Sequence, residues 1–194
     1  MKVLAEDARV ARSRGAILQA TAQLLAESGF AGFSMDDVAH RAGVGKATIY
    51  RHWRSRAELL VDVCASLDGP VPVPDSGDLR TDLIELLAHL QRVLLSPATG
   101  PVIAALVEGA ERDAELRRLR QTAVHHRREA FHVVLRRAVD RGDLPPDTDV
   151  ELTAELLVAP LFFRRLVSRG RMERTFVNAV VDAVMQSRVT THVE

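Results

Sequence analysis

The stretch from Lys46 to His52 concentrates side chains that form hydrogen bonds. Lysine, threonine, tyrosine, arginine and histidine all occur within these seven positions. Such a mixture can bind phosphates and the edges of nucleic-acid bases. Val44 and Ile49 are the apolar residues that would face a protein core. A helix this short is not stable in isolation, so the stretch predicts a DNA recognition helix only if neighbouring elements hold it in place.

The residues in front of this helix predict such a support. Apolar residues at helical spacing predict a first helix over 12–28, and Gly29 is placed to end it in the left-handed conformation. Ser34 and Asp37 have the spacing of a capping box, with Asp in place of the usual Glu or Gln. They predict the start of a second helix, which ends at Gly43.

The second and third helices are separated by a short turn over 41–44. Two helices joined in this way, with a supporting helix in front, form a helix-turn-helix. Ile49 and Trp53 are expected in its core rather than on its reading surface. The sequence therefore predicts a three-helix head over 1–55.

A second part of the chain begins after the head. Ser55 and Glu58 have capping-box spacing and predict a fourth helix over about 56–67. Three prolines and two glycines in 68–77 predict a linker. The boundaries predicted from the sequence are a head over 1–55 and a body over 56–194.

The body also reads as helical throughout, because strand signals are nearly absent. Pro101 is expected at the first position of a helix, and Thr148 with Glu151 forms a third capping-box pattern. Residues 189–194 are expected to fray. The predicted fold class is all-α, with about nine helices. The five predicted for the body after the linker cover 79–94, 101–110, 114–141, 148–168 and 172–188.

The last two predicted helices are apolar on more than one face. A helix that is apolar nearly all round is buried on all sides. In a body of five or six helices, a second copy of the chain can supply the cover, which predicts a homodimer joined in the style of a four-helix bundle. A central core helix is the alternative, and Pro160 should bend the eighth helix. The residues predicted at the interface are Leu156, Phe162, Phe176, Val180 and Val184.

Charge and composition fit a protein that meets phosphate at one end. The net charge is zero, but residues 1–56 hold nine Lys/Arg and five Asp/Glu, whereas 57–194 hold seventeen and twenty-one. The single cysteine excludes an intrachain disulfide and fits a reducing compartment. No signal peptide or membrane-spanning run is recognised. The protein is therefore expected in the cytoplasm, with no membrane partner.

The head resembles the TetR/AcrR family of bacterial transcriptional regulators. The residues that carry the resemblance are Gly29-Phe30, Ser34 to Ala39, Ala42 to Arg56 and Leu59-Leu60. Three of them depart from the family pattern. Gly45 stands where Ser is usual, which removes a hydroxyl that could reach a phosphate. Trp53 replaces Phe and Arg56 replaces Lys, two changes expected to keep the chemistry.

The resemblance implies a homodimer whose two heads lie in successive major grooves of a pseudo-palindromic DNA operator. At the start of the third helix, Lys46, Ala47 and Thr48 are expected to face base edges. Lysine can donate to guanine, and the alanine and threonine methyl groups can contact the thymine methyl.

Other residues of the head are expected to hold the DNA backbone. Tyr50 and His52 are expected on phosphates, as their family counterparts are, and Arg51 can contact either a base or a phosphate. Arg56 would add a positive charge at the start of the fourth helix.

The body, by the same resemblance, is a ligand-binding and dimerisation domain, and the protein is a repressor released by a small apolar or amphipathic molecule. Ligand binding would shift the population away from the DNA-competent form. No cofactor is predicted. The residues predicted to line the ligand pocket are Cys64, Leu67, Leu83, Leu87, Leu90, Ile103, Leu106, Val107, Phe131, Leu135 and Phe163.

Two alternatives stay open at this point. One is a DNA-binding regulator that has no small-molecule ligand. The other is a metal-dependent helical enzyme, because His125, Glu129 and His132 share one helix face at a spacing that could bind zinc. That triplet lacks the paired motif of a metalloprotease, so no metal site is predicted.

Overall fold

The computed structural model describes residues 2–187, with the side chains of 2–9, 68, 123, 126 and 127 left aside. Within this range the secondary structure is helical, which confirms the all-α prediction. The described residues form nine α-helices and one π-helix, the latter at Phe163–Ser168. The α-helices are α1 (Lys2–Ser28), α2 (Met35–Ala42), α3 (Lys46–Tyr50), α4 (Arg56–Asp68), α5 (Leu79–Leu95), α6 (Thr99–Arg112), α7 (Ala114–Arg141), α8 (Val150–Phe162) and α9 (Arg174–Gln186).

The described chain divides into two compact units. The first contains residues up to 69 together with 97–123, and the second contains 70–96 together with the residues from 124 onward. The first unit therefore holds α1 to α4, α6 and the beginning of α7. The domain boundary predicted between residues 55 and 56 remains a prediction.

The first unit is built around α1, which packs against α2, α4 and α6. Its core combines the apolar faces of these helices with two aromatic rings, Phe30 and Phe33, whose centroids lie 5.9 Å apart. Ile17 and Leu59 are completely buried in it. Ile49 of α3 packs into the same core, which is made from several distant segments of the chain.

The predicted boundaries of α2 are confirmed in detail. The Ser34 hydroxyl accepts a hydrogen bond from the Asp37 backbone N–H, and the Asp37 carboxylate accepts one from the Ser34 N–H. These bonds lower the pKa of Asp37, the side-chain bond from Ser34 being the largest cause. Gly29 has a φ of 66°, the left-handed conformation predicted for it, and Gly43, predicted as the end of α2, has a φ of 65° as well.

Two other capping-box predictions were wrong in part. Ser55 caps α4 by accepting from the Glu58 N–H, but the Glu58 carboxylate accepts from the Arg54 N–H instead of completing the box. The cap of α8 is Asp149 rather than Thr148, whose hydroxyl donates to the carbonyl of Pro145. Asp and Thr stand side by side there, and the carboxylate is the stronger acceptor for the helix N–H groups.

Several helix ends also differ from the predictions. The first helix begins at Lys2, ten residues before its predicted start at position 12. Pro101 lies at the third position of α6, which begins at Thr99. The chain continues past Pro160 in α8 and changes to the π-helix at Phe163. The predicted fraying of 189–194 lies outside the described residues.

The linker predicted over 68–77 is fastened to its own unit. Ser76 donates to the nearly fully buried carboxylate of Asp82, through its backbone N–H at 3.0 Å and its hydroxyl at 2.6 Å. Arg137 of α7 lies 3.4 Å from the carboxylate of Asp75. The prolines break the helix as expected, and polar contacts then fix the segment against α5 and α7.

The second unit packs α5 against α8 and α9. Its core contains Leu83, Leu87, Leu135 and Leu157, all nearly or completely buried. Arg80 of α5 and Asp182 of α9 share two hydrogen bonds, at 2.7 and 3.2 Å. No single described helix is long and apolar enough to cross a membrane, although α5 and α6 taken together meet that test by length and composition.

Gly109 marks a close approach between α6 and the core of the first unit. A Cβ at this position would lie 2.7 Å from both the Phe30 ring and the Leu116 side chain, whereas a Cβ at Gly15 of α1 would meet nothing within 4 Å. Gly15→Ala should therefore stabilise the protein by up to about 1 kcal/mol through helix propensity. Gly109→Ala should destabilise it by about 1–3 kcal/mol, because a packed ring must move.

Denaturant unfolding of both variants at one protein concentration measures this difference. Each variant replaces a helical glycine by alanine, so the gain in helix propensity is similar in both. The difference in their stability therefore measures the clash at Gly109. Equal stability of the two variants would show that α6 does not approach Phe30 as described.

Candidate nucleic-acid interface

The third helix is short, and one buried side chain joins it to the rest of its unit. Ile49 is completely buried in the core that α2 also contributes to. The turn between α2 and α3 depends on Gly43, whose N–H bonds the carbonyls of Ala39 and His40. With Ile49 inward, α3 presents Lys46, Ala47 and Tyr50 to solvent.

Lys46 is paired with a carboxylate of the neighbouring helix. Its Nζ lies 2.6 Å from the Oδ2 of Asp36, which belongs to the first turn of α2, and both side chains are 61% exposed. The hydrogen bond to Asp36 raises the pKa of Lys46 above its ordinary value. An ammonium has three donors, so the bond to Asp36 leaves two for a base or a phosphate.

Sequence reasoning missed Asp36. Acidic residues in the first turn of a helix are explained by the helix dipole alone, and this one gave no further signal. The pairing joins two elements across a turn, ten positions apart, which no helical periodicity reveals.

The other predicted contacts differ in how freely they are presented. Tyr50 is 52% exposed, and Arg51 is exposed with no ion pair to another described residue. Thr48 and His52 are half-buried, and the His52 ring lies 5.4 Å from the ring of Trp53. Tyr50 and Arg51 are therefore the freest polar groups of α3 and the turn after it.

Arg56 serves the packing of its own unit. Its guanidinium donates to the carbonyl of Phe33 at 2.9 Å and lies 5.0 Å from the centroid of the Phe30 ring. The replacement of Lys by Arg was expected to keep the chemistry, but a planar guanidinium can bond a carbonyl and stack on rings in a way that lysine cannot. The predicted phosphate contact of Arg56 competes with these bonds.

The departure at Gly45 has a local structural consequence. Gly45 is the N-cap of α3 and offers no side-chain acceptor to the first N–H groups of the helix. Its φ of −71° and ψ of 146° are open to any residue, and a Cβ there would meet nothing within 4 Å. The start of α3 therefore lacks a side-chain cap because residue 45 is glycine, although the backbone and the space there would accept a capping residue.

The residues predicted to line a ligand pocket are divided between the two units. In the first unit Cys64, Ile103 and Leu106 are buried, Leu67 borders an open groove, and Val107 is 40% exposed. In the second unit Leu83, Leu87, Phe131 and Leu135 are buried, Leu90 is half-buried and Phe163 is 58% exposed.

The second unit also contains a cavity of about 220 Å³. Leu83 and Leu135 line it, together with residues that were not predicted, among them Leu144 and the polar Thr153. Thr153 is nearly fully buried, and its hydroxyl donates to the carbonyl of Asp149. Seven of its twelve lining residues are apolar, and the five polar ones are Asp143, Thr148, Thr153, Gln186 and Ser187.

The predicted dimer residues are only partly available on the surface of one chain. Leu156 is 40% exposed, while Phe162, Phe176 and Val184 are half-buried. Val180 faces inward and is 7% exposed, because α9 packs against α5. Apolar residues outside the predicted set are also exposed along α8 and the π-helix. Together with Leu156, the exposed apolar residues there are Leu152, Phe163, Leu166 and Val167.

Carboxylates of α8 lie against the histidine face of α7. His132 is 3% exposed, and its Nε2 lies 3.0 Å from a Glu151 carboxylate oxygen. Arg128 contacts both Glu151 and Glu155 at 2.8 and 2.9 Å. Within the described part of the chain no cluster of three or more His, Cys, Asp or Glu residues is arranged to hold a metal ion.

Comparisons with known proteins match both parts of the chain. Residues 17–63 match the family described as bacterial regulatory proteins, tetR family. Residues 73–184 match the tetracyclin repressor-like C-terminal domain. The DNA-binding transcriptional repressor TetR of Mycobacteroides abscessus is 35% identical over 176 residues, or 88% of this chain and 90% of that protein.

Two further proteins are similar over most of their length. The HTH-type transcriptional regulator YdeS of Bacillus subtilis is 32% identical over 168 residues, or 86% of this chain and 84% of that protein. The crystal structure of the TetR family transcription regulator SCO0332 is 30% identical, with a TM-score of 0.70 over 89% of this chain and 96% of that chain. The matches therefore include the head and the body together.

Gly43 and Gly45 make a matched pair for testing the turn. Neither has a neighbour within 4 Å of an added Cβ, but only Gly43 has a positive φ. Gly45→Ser should stabilise the protein by a few tenths of a kcal/mol, roughly the difference between serine and glycine at an N-cap. Gly43→Ser should destabilise it by about 1–2 kcal/mol, the cost of a left-handed non-glycine residue.

Thermal and denaturant unfolding measure both effects. If Gly45→Ser were as destabilising as Gly43→Ser, the assigned backbone conformations in this turn would be incorrect.

Proposed function

Since this chain belongs to the TetR family of bacterial transcriptional regulators, we propose that it is a repressor released from its operator by a small apolar or amphipathic molecule. The chain is a DNA-binding regulator, and its relatives are regulators and not enzymes. Repression is proposed here because a relative of 35% identity is a repressor. The cytoplasm is the proposed location.

The observation that carries the DNA-binding role is the exposed polar face of α3. Ile49 fixes the helix on its platform, and Lys46, Ala47 and Thr48 then stand in its first turn, where recognition helices contact base edges. Tyr50, Arg51 and His52 follow at the end of the helix and are proposed to bind phosphates, Arg51 also being able to reach a base. Arg56 is proposed to brace this surface from behind through its bonds to the carbonyls of Phe30 and Phe33.

Binding as a homodimer is proposed to double this small reading surface. Two copies related by a twofold axis would read a pseudo-palindromic operator. The support for the dimer is the apolar surface along α8 and the π-helix, where Phe163 and Val167 are 58% and 67% exposed. Large apolar side chains that remain exposed close together along the chain are often covered by a partner. Leu156, Phe162, Phe176 and Val184 are proposed to contribute at its edges.

The effector is proposed to bind within the body, and the cavity of the second unit supports a small apolar ligand. Its leucine walls would bury an apolar molecule, and Thr153 with Thr148 could orient a polar end. Leu83 and Leu135 are thereby proposed as ligand contacts, and the other predicted wall residues stay proposals of the same kind. A regulator that needs no ligand is the second candidate, because the buried leucines also form an ordinary core.

Selection of binding sites from a random duplex library, with the wild-type protein, tests the DNA-binding proposal. The enriched sequences should form an inverted repeat, and an enriched single half-site would contradict the dimer.

Lys46→Ala should lower the preference for one base pair in each half-site by about tenfold. Tyr50→Ala should weaken binding to all duplexes alike, by about tenfold, because phosphates carry no sequence information. Equal losses on every duplex for Lys46→Ala would falsify its base-reading role.

Thermal shift of the protein against a panel of small apolar compounds tests the effector proposal. A compound that binds the folded state raises the melting temperature by mass action. Leu144→Trp should abolish the shift by filling the cavity, since Leu144 is a half-buried wall residue. The control is Leu95→Trp, which places the same ring on an exposed position of the same unit. A shift that survives Leu144→Trp would place the ligand elsewhere, and no shift with any compound would favour the regulator without a ligand.

A further inference from the structure

The only tryptophan of the chain lies immediately behind the recognition helix. Trp53 is 2% exposed. Its backbone N–H and that of His52 both bond the carbonyl of Ile49, at 2.9 Å each, so the residue continues the last turn of α3. The backbone of Trp53 is therefore attached directly to the C-terminal end of α3.

The indole of Trp53 is bound by a carboxylate of another helix. Its Nε1 donates to the Oδ2 of Asp62 at 2.8 Å, and Asp62 stands in the middle of α4. A buried indole N–H needs a partner, and a charged acceptor forms a stronger bond with it than a neutral one. This contact therefore adds a directional constraint on the ring to the constraint that packing already imposes.

A third side chain holds the carboxylate in position. Arg14 of α1 donates to the same Oδ2 of Asp62 at 2.7 Å, and its guanidinium lies 5.8 Å from the centroid of the Trp53 ring. The ion pair is partly exposed, with 47% and 38% of the two side chains accessible. Such pairs add little stability by themselves, so its main effect is to orient Asp62.

Packing does not require this arrangement. A phenyl ring would fill most of the same space without a donor, and it would leave Asp62 paired with Arg14 alone. The bond from Trp53 to Asp62 thus adds a directional link between α4 and the end of α3 that the core does not need.

We propose that Asp62 is a positioning residue for DNA binding, which sets the presentation of α3 through the Trp53 indole and makes that presentation depend on the position of α4. The proposal rests on the proposed DNA-binding role of α3. Asp62 itself is not a DNA contact, because a carboxylate would repel phosphate. Its effect should appear as selectivity for the operator rather than as general affinity for DNA.

The test compares affinity for an operator selected by the wild-type protein with affinity for a scrambled duplex of equal length. Asp62→Ala should lower the ratio of specific to non-specific affinity by about tenfold or more, the equivalent of one hydrogen bond to a charged group. Non-specific affinity should not fall, because the change removes a negative charge and releases Arg14. Asp62→Asn should restore most of the ratio, since an amide oxygen still accepts from the indole.

Two further variants separate positioning from folding. Trp53→Phe should lower the ratio as Asp62→Ala does, and the double variant should lose no more than either single one, because the two residues act through one bond. If Asp62→Ala does not fold, Trp53→Phe still tests the proposal, because it removes the same hydrogen bond from the other side. The matched control is Glu27→Ala, which removes a carboxylate from the ion pair with Arg41, at 2.6 Å in the same unit. Glu27→Ala measures how far the loss of one carboxylate charge alone lowers the ratio, and Asp62→Ala should lower the ratio well beyond that.

The possible outcomes distinguish failure of the Asp62 proposal from failure of the proposed DNA-binding role. If Asp62→Ala and Trp53→Phe lower the melting temperature but keep the ratio, Asp62 is only a structural brace and the inference is overturned. An additive loss in the double variant also overturns it. If the wild-type protein selects no sequence from the library, the proposed DNA-reading function fails instead, and the two failures are distinguished by that first step.

Discussion

A recognition helix of five residues cannot hold its own orientation, and the rest of the head compensates for this. Helix nucleation is costly, and α3 has too few hydrogen bonds to offset that cost. It also lacks a side-chain cap, because Gly45 has no acceptor to offer. The conformation of Gly43 sets its entry, Ile49 fixes its inner face, and Trp53 fixes its end. The reading surface is therefore a property of the whole first unit.

The positive charges of the head are restrained by nearby carboxylates in the free protein. Lys46 is paired with Asp36, Arg14 with Asp62 and Arg41 with Glu27, each within 2.7 Å. Exposed pairs like these contribute little to stability, but they reduce the field that would attract any phosphate backbone. A regulator must discriminate against a large excess of non-specific DNA, and a partly neutralised head lowers that background. The modest positive excess of residues 1–56 fits this arrangement.

The sequence predicted the features that depend on local chemistry. The capping box of α2, the left-handed Gly29 and the extent of α7 follow from residues close together in the chain, and the structure confirms them. The α8 cap was misplaced by one residue because Thr148 and Asp149 are both good caps, and only their geometry decides between them. Asp36 and Asp62 were missed because their partners lie on other elements. No spacing within one helix carries that information.

Apolar residues line ligand sites and also fill ordinary protein cores. The function of residues in the body is therefore harder to predict from the sequence than that of residues in the head. Leu83 and Leu135 were predicted from their apolar character, and that character would be identical in a helix packed with no cavity at all.

The residues that depart from the family pattern are also difficult to interpret from residue type alone. Trp53 in place of Phe preserves size and apolarity, yet it adds one N–H, and Asp62 accepts it. A substitution that is conservative for packing is then not conservative for orientation, because the added donor selects one ring angle among those that the core allows.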